Sequence, residues 1–127
     1  MNQEKIGAEY FYDTYALVEI VKRNENYKPY LYSKMHILNY NLIELYYNLL
    51  RDHGEEIAKK YYLLLKNNVF EISDEVLFDA MKFKKENSKK SFSYVDCLGY
   101  SYALHKKIKF LTGDREFRGM KNVEFVK

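Results

Sequence analysis

Four carboxylates stand where one element of secondary structure gives way to another: Asp13, Glu44, Asp96 and Asp114. Asp13 closes the aromatic run EYFYD, and Asp114 follows IKFLT through Gly113. Glu44 and Asp96 each lie three residues after a helix-capping type, Asn41 and Ser93, the spacing of a capping box. Singly, each acid can be structural: Asp13 as an N-cap, Asp114 as part of a turn. Gathered at one place they would repel one another, because burying unpaired charge is costly. A hard divalent cation, Mg2+ or Mn2+, is the natural compensator, since it takes carboxylate, water and phosphate oxygens. The two readings are compatible, because a carboxylate in a first helical turn can cap and also reach a cation.

The surrounding sequence says which elements must position these acids. Glu9–Asp13 reads as a short buried strand, and Thr14–Arg23 as a helix capped by Asp13. NENYKPYL breaks that helix, with Pro29 suited to the first turn of a second, short one. Met35–Leu38 is a candidate strand. In NLIELYYNLL the apolar residues Leu42, Leu45 and Leu49 recur at helical spacing, predicting a helix over 41–50 with Glu44 in its first turn. Gly54 ends it, and EEIAKKYYLLLK predicts another over 55–66, acid first and lysine last as the helix dipole prefers. Val69–Ile72 reads as a strand. Ser73 and Ser93 cap helices reaching about Glu86 and Lys106. Ile108–Thr112 and Val123–Val126 are the last strands. Strands alternating with helices predict one domain over 1–127, a three-layer α/β/α sandwich on a mostly parallel sheet of four to five strands. Ligands of such sheets bind beyond the carboxyl ends of the strands, where Asp13 and Asp114 fall. Glu44 and Asp96 join them if their helices start at that edge.

Composition narrows the field. The chain has 127 residues, 47% of them hydrophobic, enough for a core of its own. A net charge of +3 permits a polyanionic partner without demanding one. A single cysteine, Cys97, excludes a disulfide framework and a cysteine-rich zinc site. No apolar run approaches the roughly 20 residues of a membrane span, and MNQEKIGAEY lacks the apolar stretch of a signal peptide. A cytoplasmic location is the expectation.

Four segments, in this order and spacing, resemble the PIN-domain nucleases, and in size and layout the VapC-type toxins of toxin–antitoxin pairs. FYDTYALVEIV is similar to that family's opening strand with its aspartate, hydroxyl residue and helix. NLIELYYNLL is similar to the helix bearing the second acid, FSYVDCLGYSYAL to the helix with the third, and FLTGDREF to the strand with the fourth. The resemblance implies a PIN-like fold and a metal-dependent endoribonuclease. Asp13, Glu44, Asp96 and Asp114 would bind Mg2+ or Mn2+, with Glu116 as a further acid near a second ion. Thr14 and Thr112 would contact a bound water or the phosphate. Hydrolysis would leave a 5′-phosphate and a 3′-hydroxyl. Tyr15 departs from the family's usual smaller residue, and 24–35 carries no family signature. An antitoxin protein and a second copy of the chain are the further partners implied. The tyrosine-rich amphipathic helices offer apolar surface for such a homodimer.

Arg115, Arg118 and Lys121 follow Asp114 closely and are candidate RNA contacts. Lys82, Lys84, Lys85, Lys89 and Lys90 read more simply as a solvated helix end than as a phosphate patch. His36, His53 and His105 fit no ligand spacing. A haloacid-dehalogenase-like phosphatase would need a second aspartate at position 15, where Tyr15 stands, and a receiver domain needs paired N-terminal acids that are missing. A stand-alone RNA-processing nuclease and a non-catalytic scaffold binding RNA or protein are the remaining alternatives.

Overall fold

The computed structural model describes residues 5–127, so the start of MNQEKIGAEY lies outside the described residues. Four strands, β1 (Glu9–Tyr12), β2 (Lys34–His36), β3 (Lys109–Thr112) and β4 (Val123–Phe125), form one sheet in the order β2-β1-β3-β4, and every pair is parallel. Helices α1 (Thr14–Val21), α2 (Asn39–His53), α3 (Glu55–Leu65), α4 (Asp74–Glu86) and α5 (Tyr94–Lys106) cover it. Because successive strand residues face opposite ways, β1 and β3 feed two cores. Tyr10, Tyr12 and Leu111 pack with α1, α2 and α3; Phe11 and Phe110 pack with α4 and α5. That is the α/β/α sandwich.

Two expectations need correction. Val69–Ile72 is not a strand; Val69 only bridges Ile37. Pairing stops because the Leu38 N–H is taken by the Asn41 side chain at 2.9 Å, which turns the edge chain into α2. Pro29 does not open a helix but sits inside a 3-10 helix, Glu25–Tyr32, which Asn24 caps through the Asn26 N–H.

The buried tyrosines act as ties. The hydroxyls of Tyr12, Tyr27 and Tyr100 donate to the carbonyls of Tyr30, Val126 and Lys121, and that of Tyr30 to Glu124. Each phenol thus fills apolar space while its polar end joins distant segments. Gly99 lets α5 lie on the sheet, since a Cβ there would stand 2.5 Å from the Phe11 ring.

Candidate active site

The sheet changes direction between β1 and β3: the chain leaves β1 for β2 on one side, and β3 lies on the other. A crevice opens at the carboxyl ends of such a strand pair. Asp13 directly follows β1 at this edge. Its N–H continues the ladder to the Leu111 carbonyl at 3.0 Å, and its carboxylate caps α1 by accepting from the Thr14 N–H at 2.9 Å. The Thr112 hydroxyl donates to the other Asp13 oxygen at 2.7 Å and accepts from the Asp114 N–H at 3.1 Å. One buried hydroxyl therefore spaces the acids that follow β1 and β3. Asp114 in turn caps a 3-10 turn, Arg115–Phe117, through the Glu116 N–H.

Glu44 comes from α2, which begins at Asn39 and so places it in the second turn rather than the first. Its carboxylate accepts from the Thr14 hydroxyl at 2.7 Å, and that oxygen accepts from the Asn41 amide at 3.1 Å. Asn41 is thus not the helix cap expected from its spacing. It is fully buried and ties Leu38 to Thr14. Asp96 does complete a capping box, with reciprocal bonds to Ser93 of 2.9 and 3.0 Å.

The four acids act on one another electrically. Burial pushes the Asp13 carboxyl up to about 8, with Asp96 and Asp114 adding to the rise against the hydrogen bonds from Thr112 and Thr14. Burial also raises Asp96, and Asp114 and Glu44 add to it, while its bonds to Ser93 pull the other way. None of the four has a lysine, arginine or histidine partner among the described residues. Protonation, as the raised Asp13 carboxyl shows, or a bound cation can relieve that burial and repulsion.

The donors are all hard oxygens, as Mg2+ or Mn2+ requires, yet among the described residues no three acids stand close enough to hold an ion together. Such an ion commonly takes one or two carboxylates and fills its other positions with water and substrate phosphate. The residues fit it on those terms.

Other predicted residues are placed differently. The hydroxyls of Thr14 and Thr112 are engaged in positioning carboxylates, and Thr112 is fully buried. One carboxylate oxygen of Glu116 accepts from the Ser91 N–H at 2.8 Å. Arg115 and Arg118 are exposed, the latter 5.0 Å from the Phe125 ring centre. Tyr15, the family's odd residue, lies against Gly113, where an added Cβ would overlap its ring and the Val126 carbonyl. Sequence reasoning missed a buried group, His36, held by Tyr102 at 2.8 Å and Glu9 at 2.7 Å. Only the pairing of β2 with β1 and the packing of α5 bring these three together. Asn41 could have been found, since it shares a helix face with Glu44.

The geometry has counterparts among known proteins. The search of curated proteins returned no match. Among solved structures, the Mycobacterium tuberculosis VapC20, a sarcin-ricin loop cleaving toxin, superposes with a TM-score of 0.77 at 15% identity, over 93% of this chain and 99% of that one. A toxin-antitoxin complex from Klebsiella pneumoniae gives 0.73 at 16% identity, over 91% and 95%. VapBC2 from Rickettsia felis, bound to a DNA fragment from its promoter, gives 0.70 at 20%, over 92% and 96%. At these identities the likeness is one of fold. The family model of the PIN domain matches residues 10–123, which is nearly the whole chain and contains all four acids, so the chain belongs to the PIN domain family.

Proposed function

We propose that this chain is a Mg2+- or Mn2+-dependent endoribonuclease and the toxin of a toxin–antitoxin pair. What supports the reading is that Asp13 and Asp114, which follow β1 and β3, share the Thr112 hydroxyl, that Asp96 and Asp114 raise the Asp13 carboxyl while Asp114 and Glu44 raise that of Asp96, and that none of the four is paired with a cation among the described residues. Membership of the PIN domain family supports a nuclease, and the toxin structures of the same fold support an antitoxin partner.

One or two of Asp13, Glu44, Asp96 and Asp114 would ligate the ion, with water and substrate phosphate as its other ligands. When bound, it supplies an acidified water and charge stabilisation at the phosphate. The chain's own residues fix the carboxylates. Thr112 keeps Asp13 and Asp114 in register, and Asn41 through Thr14 orients Glu44. The carboxylates need not act as bases themselves.

Asp96→Asn provides the test, because asparagine keeps the capping geometry with Ser93 and removes the charge. Unfolding in EDTA should change by about 1 kcal/mol or less, or shift toward stability as repulsion falls. Cleavage of single-stranded RNA with Mn2+ should drop by about a hundredfold or more. Full activity in the asparagine variant would return Asp96 to a purely structural role.

A further inference from the structure

Tyr94 is the first residue of α5, two positions before Asp96, and its ring is 65% exposed. Exposure alone says little about a tyrosine, but its companion says more. Lys84, in the last turn of α4, holds its ammonium 4.7 Å from the Tyr94 ring centre while donating to the Phe92 carbonyl at 2.7 Å. The lysine is half-buried, and it has no carboxylate partner among the described residues. A cation is therefore pinned over an exposed aromatic ring with no counter-ion among the described residues. An ammonium has three donors and the Phe92 carbonyl uses one, which leaves two for an anion's oxygens.

The charge continues outward. Lys85, Lys89, Lys90 and Arg115 are exposed, and none is in an ion pair among the described residues. Lys90 donates to the Glu116 carbonyl at 3.1 Å, so this basic margin runs onto the turn that follows Asp114. The sequence reading of these lysines as a solvated helix end misses that connection. Four acids by themselves repel a phosphodiester, and a basic margin beside them reverses the field an approaching strand meets.

Resting on the nuclease reading above, we propose that Tyr94 and Lys84 form a one-nucleotide platform for single-stranded RNA beside the scissile phosphate. The ring stacks on an unpaired base and the ammonium takes a backbone phosphate. Stacking of this kind tolerates any base, whereas a duplex keeps its bases stacked within itself. The unpaired cations favour a polyphosphate over a protein partner at this margin.

The test is fluorescence anisotropy with a short labelled oligouridylate in EDTA, so that binding is read without turnover. Tyr94→Leu should weaken binding about tenfold, and Tyr94→Phe should restore it. An abasic strand of the same length should bind wild type and Tyr94→Leu equally. Lys84→Gln should reduce the salt slope by about 0.7. An unchanged thermal midpoint in each variant shows that the fold is intact. If Tyr94→Leu binds oligouridylate as wild type does, or if wild type does not bind it, the platform is overturned, including the case in which Tyr94 serves a protein partner instead. RNA cleavage with Mn2+ separates the two readings. Wild-type cleavage with Tyr94→Leu unchanged in KM and affinity rejects the platform alone. Tyr94-dependent binding without any cleavage rejects the nuclease and keeps the platform.

Discussion

Asp13 accepts two hydrogen bonds, and burial still pushes its carboxyl up to about 8, above the ordinary value of 3.8. The folded chain thus holds a proton that the unfolded chain releases. Stability from this source is complete below about pH 4 and is lost as pH rises through about 8. Metal-free protein should accordingly unfold at lower urea concentration at about pH 8.5 than at about pH 5.5. Asp13→Asn, which resembles the protonated acid, should flatten that dependence and raise stability at the alkaline end. A slope as steep in the asparagine variant would assign the titration to another group. Divalent cation should remove the same dependence in wild type, because binding to the carboxylate displaces the proton.

At the scale of elements, the start of α2 and the end of β3 are fixed by small, specific contacts. Asn41 spends its side chain on the Leu38 N–H and the Thr14 hydroxyl, and it is fully buried. Asn41→Ala should cost about 2 kcal/mol in urea unfolding, since it leaves a buried donor without a partner. It should also lower cleavage through the freed Thr14–Glu44 pair, with Glu44 itself intact. Gly113 is needed because Tyr15 and the Val126 carbonyl occupy the space of a Cβ. Gly113→Ala should cost about 1–3 kcal/mol by overpacking. Tyr15→Ser in the same chain should recover part of that loss, and only part, because the carbonyl stays. Recovery of none would mean that the backbone contact alone sets the penalty.

Across the whole molecule, the sheet is covered on both faces, yet α2 and α3 still show Ile43, Tyr47, Leu50, Tyr62, Leu63 and Leu64 to solvent. A shallow cavity of about 390 Å3, lined by Ile43, Tyr46, Lys59 and Tyr62, lies among them. Exposed apolar side chains on two packed helices are a frequent mark of association. Light scattering at micromolar concentration should give about twice 15.4 kDa for the isolated chain. Tyr62→Lys with Leu64→Lys should return it to a monomer with its thermal unfolding little changed, since both side chains are exposed. A wild-type mass of one chain would assign the face to another partner.

The amino-acid sequence by itself determined the alternation of strands and helices and the helix caps at Asp13, Ser73 and Ser93, and it offered the four acids as candidates. These rest on local rules: apolar periodicity, side chains that bond the next turn, and turn residues at fixed offsets. Tertiary structure decided the rest. Val69–Ile72 has the composition of a strand, but strand pairing depends on a neighbour, and β2 has already turned into α2. Thr112 reads as a free hydroxyl until β1 and β3 lie side by side and it is enclosed between Asp13 and Asp114. Glu116, two residues past Asp114, accepts from Ser91 in the α4–α5 connection, a contact that only the fold reveals. For Thr112 and Glu116 the deciding contact joins residues far apart in the chain, and no local pattern records what a distant segment will bring.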